Sequence, residues 1–279
     1  MLRSMLRHAA AIILLAFVVP QAAADPILLV YRADTRGPDV VFQHGFTGRG
    51  SRMDVLAHTL GGACEETDPA RASTWVSTSA DRDEAVGFAR GHLEGLPSGP
   101  QNRMWLYSIR PDQTYIVVPS LLYRVADEAR AGQSGYTPQQ GAVVEHLMYN
   151  TLISTEAEVI AHYVAPVNII AATPVWFDAN DDLQFGARQM NPGYLNLDTS
   201  AASDVADLQA FVPAASIRMD LMDDDGPSSG SESDQCAMSC DGATSASSFA
   251  ATMAPQPPSA QCRAPKTFTP LVRDLILGS

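Results

Sequence analysis

The sequence predicts an α+β fold. Short runs with strand character are mixed irregularly with a few segments of helical character. The regular strand–helix alternation of a doubly wound parallel sheet does not occur, and no internal repeat is visible. The 279 residues are enough for one sizeable core followed by a tail.

The first 24 residues have the pattern of a secretory signal peptide. Arg3 and Arg7 form a basic start, residues 9–19 an apolar centre, and residues 22–24 a small-residue exit before Asp25. The apolar centre is too short for a membrane-spanning helix, and no later segment of the sequence is long enough. We therefore expect a secreted protein without a membrane span.

The remaining chain divides into two parts. We predict one domain over residues 25–219 and a linker with a C-terminal tail over residues 220–279. Residues 220–260 are rich in Asp, Ser, Gly, Ala and Pro, a composition that favours little regular structure. Residues 268–277 turn apolar again, at helical spacing.

Net charge and cysteine content limit the kinds of partner and site that this protein can have. The formal net charge of −13 argues against nucleic-acid binding, since phosphate contacts need a basic surface. Four cysteines in an exported chain predict two disulfides, whose pairing stays open. Zinc is the alternative, because Cys236 and Cys240 have ligand spacing. However, Cys64 and Cys262 lie far away in sequence, and no paired histidine motif follows.

The first predicted elements are a strand, a loop, a short helix, a second strand and a longer helix. Gly45, Gly48 and Gly50 indicate a loop that approaches other backbone closely. The first strand spans residues 27–30 and the short helix, of one or two turns, spans residues 54–59. The second strand spans residues 74–79 and the longer helix residues 81–92. In the second strand, a period of two places Trp75 on the same face as Ser77 and Ser79.

The later elements are a hairpin, helices and short strands. The hairpin joins residues 104–109 and 115–118 around a turn at residues 110–112. Helices are predicted over residues 121–131, 141–153 and 201–211. Strands are predicted over residues 158–164, 167–173 and 175–177, with Pro174 ending the second of them.

Three polar stretches stand out. The first is Arg32, with Asp34 on the same strand face; the second is the run Ser77-Thr78-Ser79; the third is the pair Glu156 and Glu158. Each has an ordinary structural interpretation: an arginine that reaches water, hydroxyls that support a strand, and an exposed acidic pair.

The acidic pair also allows a chemical interpretation. On an extended chain, Glu156 and Glu158 point the same way, which is useful when a cation lies between them. The chain is small, acidic and exported, and it contains an arginine, then a strand of hydroxyl residues, then paired glutamates. This combination in this order is rarer than any one of the three features alone.

The combination resembles the catalytic subunits of pertussis toxin and of its relatives, the cholera and heat-labile enterotoxin ADP-ribosyltransferases. The similarity covers residues 26–177. It is dense at residues 30–36 and 39–47, and residues 54–58 place His58 at the family's second active-site position. The other matching segments are Cys64 and residues 75–79, 158–162 and 166–169.

This resemblance implies an ADP-ribosyltransferase toxin fold, in which two small, mostly antiparallel sheets and flanking helices form an NAD cleft. NAD would be a substrate, and the motifs require no metal. Glu158 would stabilise positive charge on the ribose, Ser77 would hold Glu158, and Arg32 would face the pyrophosphate. His58 would polarise the nucleophile or hold its loop. Further NAD contacts would come from Asp34, Thr78, Ser77 and Arg49.

Two positions of this chain combine features of the pertussis and cholera branches of the family. The pertussis branch has glutamine where Glu156 stands, whereas the cholera branch has glutamate; Arg49-Gly50 also resembles the cholera branch. A carboxylate beside an arginine can orient it and take its proton, so Glu156 favours arginine over cysteine as the acceptor. A host G-protein α subunit is the acceptor that the resemblance suggests.

The resemblance also implies a partner, a five-membered carbohydrate-binding ring that would bind residues 268–277 with residues 220–260 as a tether. The alternative is a terminal helix packed on its own domain. Cys64 would pair with Cys236 or Cys240, and reduction would activate the enzyme. The chain contains one lysine, Lys266, which a GC-rich genome or avoidance of lysine modification in a host cell would explain. Other functions to consider are NAD hydrolysis and catalytically silent binding.

Overall fold

A computed structural model describes residues 26–63, 66–150, 157–202 and 205–222. Several predictions lie outside these residues: the signal peptide, Glu156, the four cysteines, and the linker and tail beyond residue 222. None of the described helices is long and apolar enough to cross a membrane.

The described chain contains ten strands and six α-helices. The strands are β1 (Val30–Asp34), β2 (Phe46–Thr47), β3 (Val76–Ser79), β4 (Met104–Ile109), β5 (Ile116–Val117), β6 (Glu158–Ala161), β7 (Tyr163–Val164), β8 (Ile169–Phe177), β9 (Leu183–Phe185) and β10 (Gln189–Met190). The α-helices are α1 (Pro38–His44), α2 (Val55–Thr59), α3 (Arg82–Leu93), α4 (Val118–Arg130), α5 (Pro138–Asn150) and α6 (Leu208–Phe211).

The described strands form one sheet of eight strands and a second sheet of two. The large sheet has the order β10-β8-β4-β1-β3-β6-β5, with β9 also paired to β8, and the small sheet pairs β2 with β7. Every strand pair is antiparallel. The predicted α+β class with mostly antiparallel sheets is therefore confirmed, although one of the two sheets is larger than expected.

The predicted hairpin between residues 104–109 and 115–118 is wrong. Strand β4 pairs with β1 and β8, whereas β5 pairs with β6. Five of the six residues of β4 are buried, so apolar side chains on both of its faces need cover. A strand of that kind belongs in the interior of a sheet, between two long neighbours.

Pro174 does not end a strand, contrary to the prediction; β8 runs through it. Its carbonyl accepts a hydrogen bond from Gly186 N, so its backbone polar groups face the edge occupied by β9 and β10. The missing N–H of Pro174 therefore removes no hydrogen bond from the ladder with β4.

The core lies on both faces of the large sheet. On one face, α4 and α5 pack with Trp75 and Ile160, and residues 205–222 contribute Leu208 and Val212. On the other face, Phe46, Tyr107 and Val159 belong to a second apolar cluster. A third cluster packs α3 against β1 and β4. Strand β3 separates the first two clusters, and its polar residues are buried between them.

Candidate active site

Arg32 lies in the middle of β1 and is buried, with 1% of its surface exposed. Its Nη1 donates a 2.6 Å hydrogen bond to the carbonyl oxygen of Ser77 in β3. The guanidinium also lies over the Phe46 ring, 5.2 Å from the centroid. The interpretation of a strand-end arginine reaching water is therefore wrong, because Arg32 braces the junction of β1 and β3.

Asp34 joins Arg32 to a second arginine. Its Oδ2 lies 3.4 Å from Arg32 Nη2. The Arg36 side chain donates to both carboxylate oxygens, from Nε and from Nη2, each at 2.8 Å. Burial alone would raise the pKa of Asp34, but the hydrogen bonds from Arg36 and the two guanidinium charges outweigh it and lower the pKa. We call Arg32, Asp34 and Arg36 the arginine cluster.

The glycine loop approaches other backbone as closely as the sequence predicts. A Cβ atom on Gly45 would lie 2.0 Å from Val164 O, and one on Gly48 would lie 2.0 Å from Thr74 O. Gly45 also has a positive φ of 69°, which favours glycine. Arg49 is partly exposed in this loop, and its predicted contact with NAD stays a prediction.

His58 lies on α2 and is fully buried. Asp54 caps this helix by accepting a hydrogen bond from Ala57 N at 3.0 Å. The two ring nitrogens of His58 each contact a serine hydroxyl: Nδ1 lies 2.7 Å from Ser73 Oγ and Nε2 lies 2.8 Å from Ser77 Oγ. His58 is thus held in one orientation by two separate groups.

Glu158 is the first residue of β6 and is 6% exposed. It pairs with Ser79 across the ladder, which places it on the same face of the sheet as Ser77 and Ser79. Its Oε1 lies 3.4 Å from His58 Nε2. Neither carboxylate oxygen has a hydrogen-bond partner among the described residues.

Ser77 is expected to hold the Glu158 carboxylate, and among the described residues the two are connected through His58. The Ser77 hydroxyl bonds to His58, and His58 is the group that contacts the carboxylate. The arrangement arises because Nε2 of the imidazole lies between the hydroxyl and the acid. We call His58, Ser77 and Glu158 the glutamate cluster.

Thr78 lies between Ser77 and Ser79, on the opposite face of the strand. Its hydroxyl donates a 2.5 Å hydrogen bond to the carbonyl of Val159 in β6. This bond gives Thr78 a structural role in the ladder, and a contact with NAD stays a prediction.

Two residues at this site, Ser73 and Arg36, are not among the site residues that the sequence predicts. Ser73 contacts His58, and Arg36 binds Asp34. A signal for each was present: Ser73 continues the period-two series of Trp75 and Ser77, and Arg36 follows Asp34 at a spacing of two. Within the described ranges, no group of three His, Cys, Asp or Glu side chains lies close enough to hold a metal ion.

Comparison with known proteins identifies the family of this chain. The family model described as pertussis toxin, subunit 1 matches residues 25–243. The chain belongs to the pertussis toxin subunit 1 family. Residues 25–243 contain every member of both clusters, and they extend beyond the described part of the chain to include Cys236 and Cys240.

Individual relatives are similar to this chain over only part of their length and at modest sequence identity. Pertussis toxin subunit 1 of Bordetella pertussis is 27% identical over 199 residues, which cover 65% of this chain and 66% of that protein. The ADP-ribosylating toxin CARDS of Mycoplasma pneumoniae is 36% identical over 92 residues, 33% of this chain and 14% of that protein. The chain thus matches less than two thirds of the length of either relative.

A solved structure confirms the fold class. The nicked CARDS toxin superposes with a TM-score of 0.50 at 22% sequence identity, over 63% of this chain and 33% of that one. Since CARDS is named as an ADP-ribosylating toxin, the fold of this family member is that of the ADP-ribosylating toxins.

Proposed function

We propose that this protein is an NAD-dependent protein mono-ADP-ribosyltransferase. The observation that carries the proposal is the Glu158 carboxylate, which is buried beside His58 and has no hydrogen-bond donor among the described residues. Buried acids normally have such donors, and an exception calls for an explanation. A ligand that supplies the missing hydrogen bonds and a positive charge is one explanation, and NAD in its reacting form supplies both.

The proposed mechanism breaks the bond between nicotinamide and ribose. Positive charge then grows on the ribose, and a fixed carboxylate in a site of low polarity stabilises it strongly. Glu158 would take this role and would accept a hydrogen bond from a ribose hydroxyl. Nicotinamide leaves with the bonding electron pair, and the acceptor side chain forms the new bond to the ribose carbon.

The two clusters have complementary charges for such a substrate. The arginine cluster has two guanidinium groups and one carboxylate, whereas the glutamate cluster has one carboxylate beside an imidazole and a hydroxyl. Positive charge suits a pyrophosphate, and negative charge suits a ribose cation. We assign the pyrophosphate to the side of Arg32, with Asp34, Thr78 and Arg49 as further proposed contacts.

For the acceptor, we propose arginine. Glu156, which lies outside the described residues, precedes Glu158 by two positions and would orient the guanidinium and take its proton. The host protein that carries the acceptor would be a G-protein α subunit by analogy with the family. The name of CARDS, an ADP-ribosylating toxin, supports the reaction class.

We further propose that the protein is secreted and acts with a partner. The family match begins at residue 25, where the signal peptide is expected to end. Residues 268–277 would bind a pentameric carrier, since the family name refers to one subunit of a larger toxin.

The test is incubation of the protein with labelled NAD and an arginine-rich or a cysteine-containing acceptor, followed by mass spectrometry of the acceptor. Replacement of Glu158 by Gln should lower label transfer at least about 100-fold, because it removes the charge that stabilises the transition state. Glu94→Gln, an exposed glutamate after α3, is the matched control and should transfer at the original rate.

Three outcomes would contradict the proposal. Undiminished transfer by Glu158→Gln would reject Glu158 as the catalytic carboxylate. Release of nicotinamide without labelled acceptor would indicate NAD hydrolysis instead. NAD that stays intact after long incubation would indicate a silent binding protein.

A further inference from the structure

Ser73 is fixed in place from two sides, just before β3. Its backbone N donates to Ala63 O at 3.0 Å, and its carbonyl accepts from Gly50 N at 2.9 Å. These partners belong to the segment after α2 and to the glycine loop. Ser73 is 1% exposed, so its hydroxyl group is held in the interior and has few possible partners.

The contacts of this hydroxyl determine where its proton goes. Ser73 Oγ accepts a hydrogen bond from Trp75 N at 3.1 Å and lies 2.7 Å from His58 Nδ1. Among the described residues, His58 Nδ1 is the one acceptor within reach of the hydroxyl proton. A buried hydroxyl rarely leaves its proton without an acceptor, so Ser73 donates to Nδ1.

We propose that Ser73 is a positioning residue that selects the tautomer of His58 with its proton on Nε2. The Nε2–H then donates to Ser77 Oγ at 2.8 Å, and Glu158 Oε1 lies 3.4 Å from the same nitrogen without accepting this hydrogen bond. In the opposite tautomer, Ser73 Oγ would accept two hydrogen bonds and its own proton would be buried without a described acceptor.

The consequence concerns the role of His58. A neutral imidazole with its proton on Nε2 is a hydrogen-bond donor toward the glutamate cluster and cannot accept a proton at that atom. His58 would therefore donate its Nε2 proton to Ser77 Oγ, beside the Glu158 carboxylate, rather than act as a base through Nε2. This consequence for transfer rests on the proposed function, whereas the tautomer itself does not.

The direct test is ¹⁵N nuclear magnetic resonance of the histidine side chains in the full chain. The spectrum of the unmodified protein should show His58 with Nε2 protonated and Nδ1 unprotonated. Ser73→Ala should shift the population toward protonated Nδ1, and Ser73→Thr, which keeps the hydroxyl, should restore the original pattern. A protonated Nδ1 in the unmodified protein would overturn the proposal, even if neither variant folds.

Kinetics with labelled NAD provide the second test. Ser73→Ala should lower kcat about tenfold, as expected for the loss of one orienting hydrogen bond, with little change in the KM for NAD. Ser73→Thr should recover most of the rate. An unchanged kcat and an unchanged tautomer in Ser73→Ala would each contradict the proposal. If the unmodified protein transfers no label, the proposed function fails while the resonance test still decides the tautomer.

Discussion

The two clusters beside β3 differ in how fully their charges are paired. In the arginine cluster, Asp34 accepts hydrogen bonds from Arg36 and contacts Arg32, which also binds the carbonyl of Ser77. In the glutamate cluster, Glu158 is equally buried, but its oxygens accept no hydrogen bond from a described residue. The first cluster therefore joins strands, and the second contains a carboxylate that accepts no hydrogen bond from the described part of the chain.

This difference separates contributions to stability from contributions to chemistry. A paired buried charge is costly to disrupt, because its partner is left in the interior without compensation. An unsatisfied buried carboxylate already destabilises the fold, so removing its charge costs little or even stabilises. The same substitution, acid to amide, should thus have opposite effects in the two clusters.

The largest expected effect is on activity, in Glu158→Gln. Transfer should fall at least about 100-fold, while the free energy of unfolding stays unchanged or increases, because the amide replaces a charge that has no hydrogen-bond donor among the described residues. Urea unfolding and labelled-NAD transfer on the same preparation measure both quantities. Marked destabilisation together with lost transfer would show that Glu158 is paired after all and would remove the contrast between the clusters.

The second effect is on stability, in Asp34→Asn. This substitution removes the buried charge that Arg32 and Arg36 contact and should lower the free energy of unfolding by about 3 kcal/mol. Urea unfolding measures the loss, and Asp182→Asn, at an exposed aspartate, should stay within about 0.5 kcal/mol of the unmodified protein. A loss no larger than that of the control would mean that the arginine cluster does not stabilise the fold.

The third effect follows from the lowered pKa of Asp34. A carboxyl whose folded-state pKa is depressed stabilises the fold fully above its unfolded-state pKa, about 3.9, and loses this contribution as the pH falls toward the folded value. The Tm should therefore drop between about pH 5 and pH 2, more steeply in the unmodified protein than in Asp34→Asn. Asp112, whose pKa is also lowered, should leave some slope in the variant. Parallel curves of Tm against pH for the two proteins would contradict the assignment of this pH dependence to Asp34.

The smallest effect concerns Thr78, which follows Ser77 on β3. Thr78→Val removes the hydrogen bond to Val159 O and should lower the free energy of unfolding by about 1 kcal/mol. Thermal unfolding checks this value, and no loss would exclude the structural role. The KM for NAD of the same variant decides separately whether Thr78 also contacts the substrate.

Local patterns predicted several elements well, and nonlocal pairing explains the errors. The helix expected over residues 81–92 is α3 (Arg82–Leu93), and the short helix expected over residues 54–59 is α2. The predicted hairpin does not form, because β4 pairs with β1 and β8, which lie far away in the chain, and not with β5, the next strand in the sequence. The helix expected over residues 201–211 is formed, in the described chain, by the four residues of α6.

The sequence by itself determined the family and the polar residues that meet at β3, because residue types at short spacings are visible without coordinates. It also determined that the glycine loop must approach other backbone closely. Only the tertiary structure decided which groups contact one another: Ser77 contacts one ring nitrogen of His58, and Ser73 contacts the other. The physical reason is that a hydrogen bond depends on strand register and side-chain direction in three dimensions, and a one-dimensional period specifies only the face on which a side chain lies.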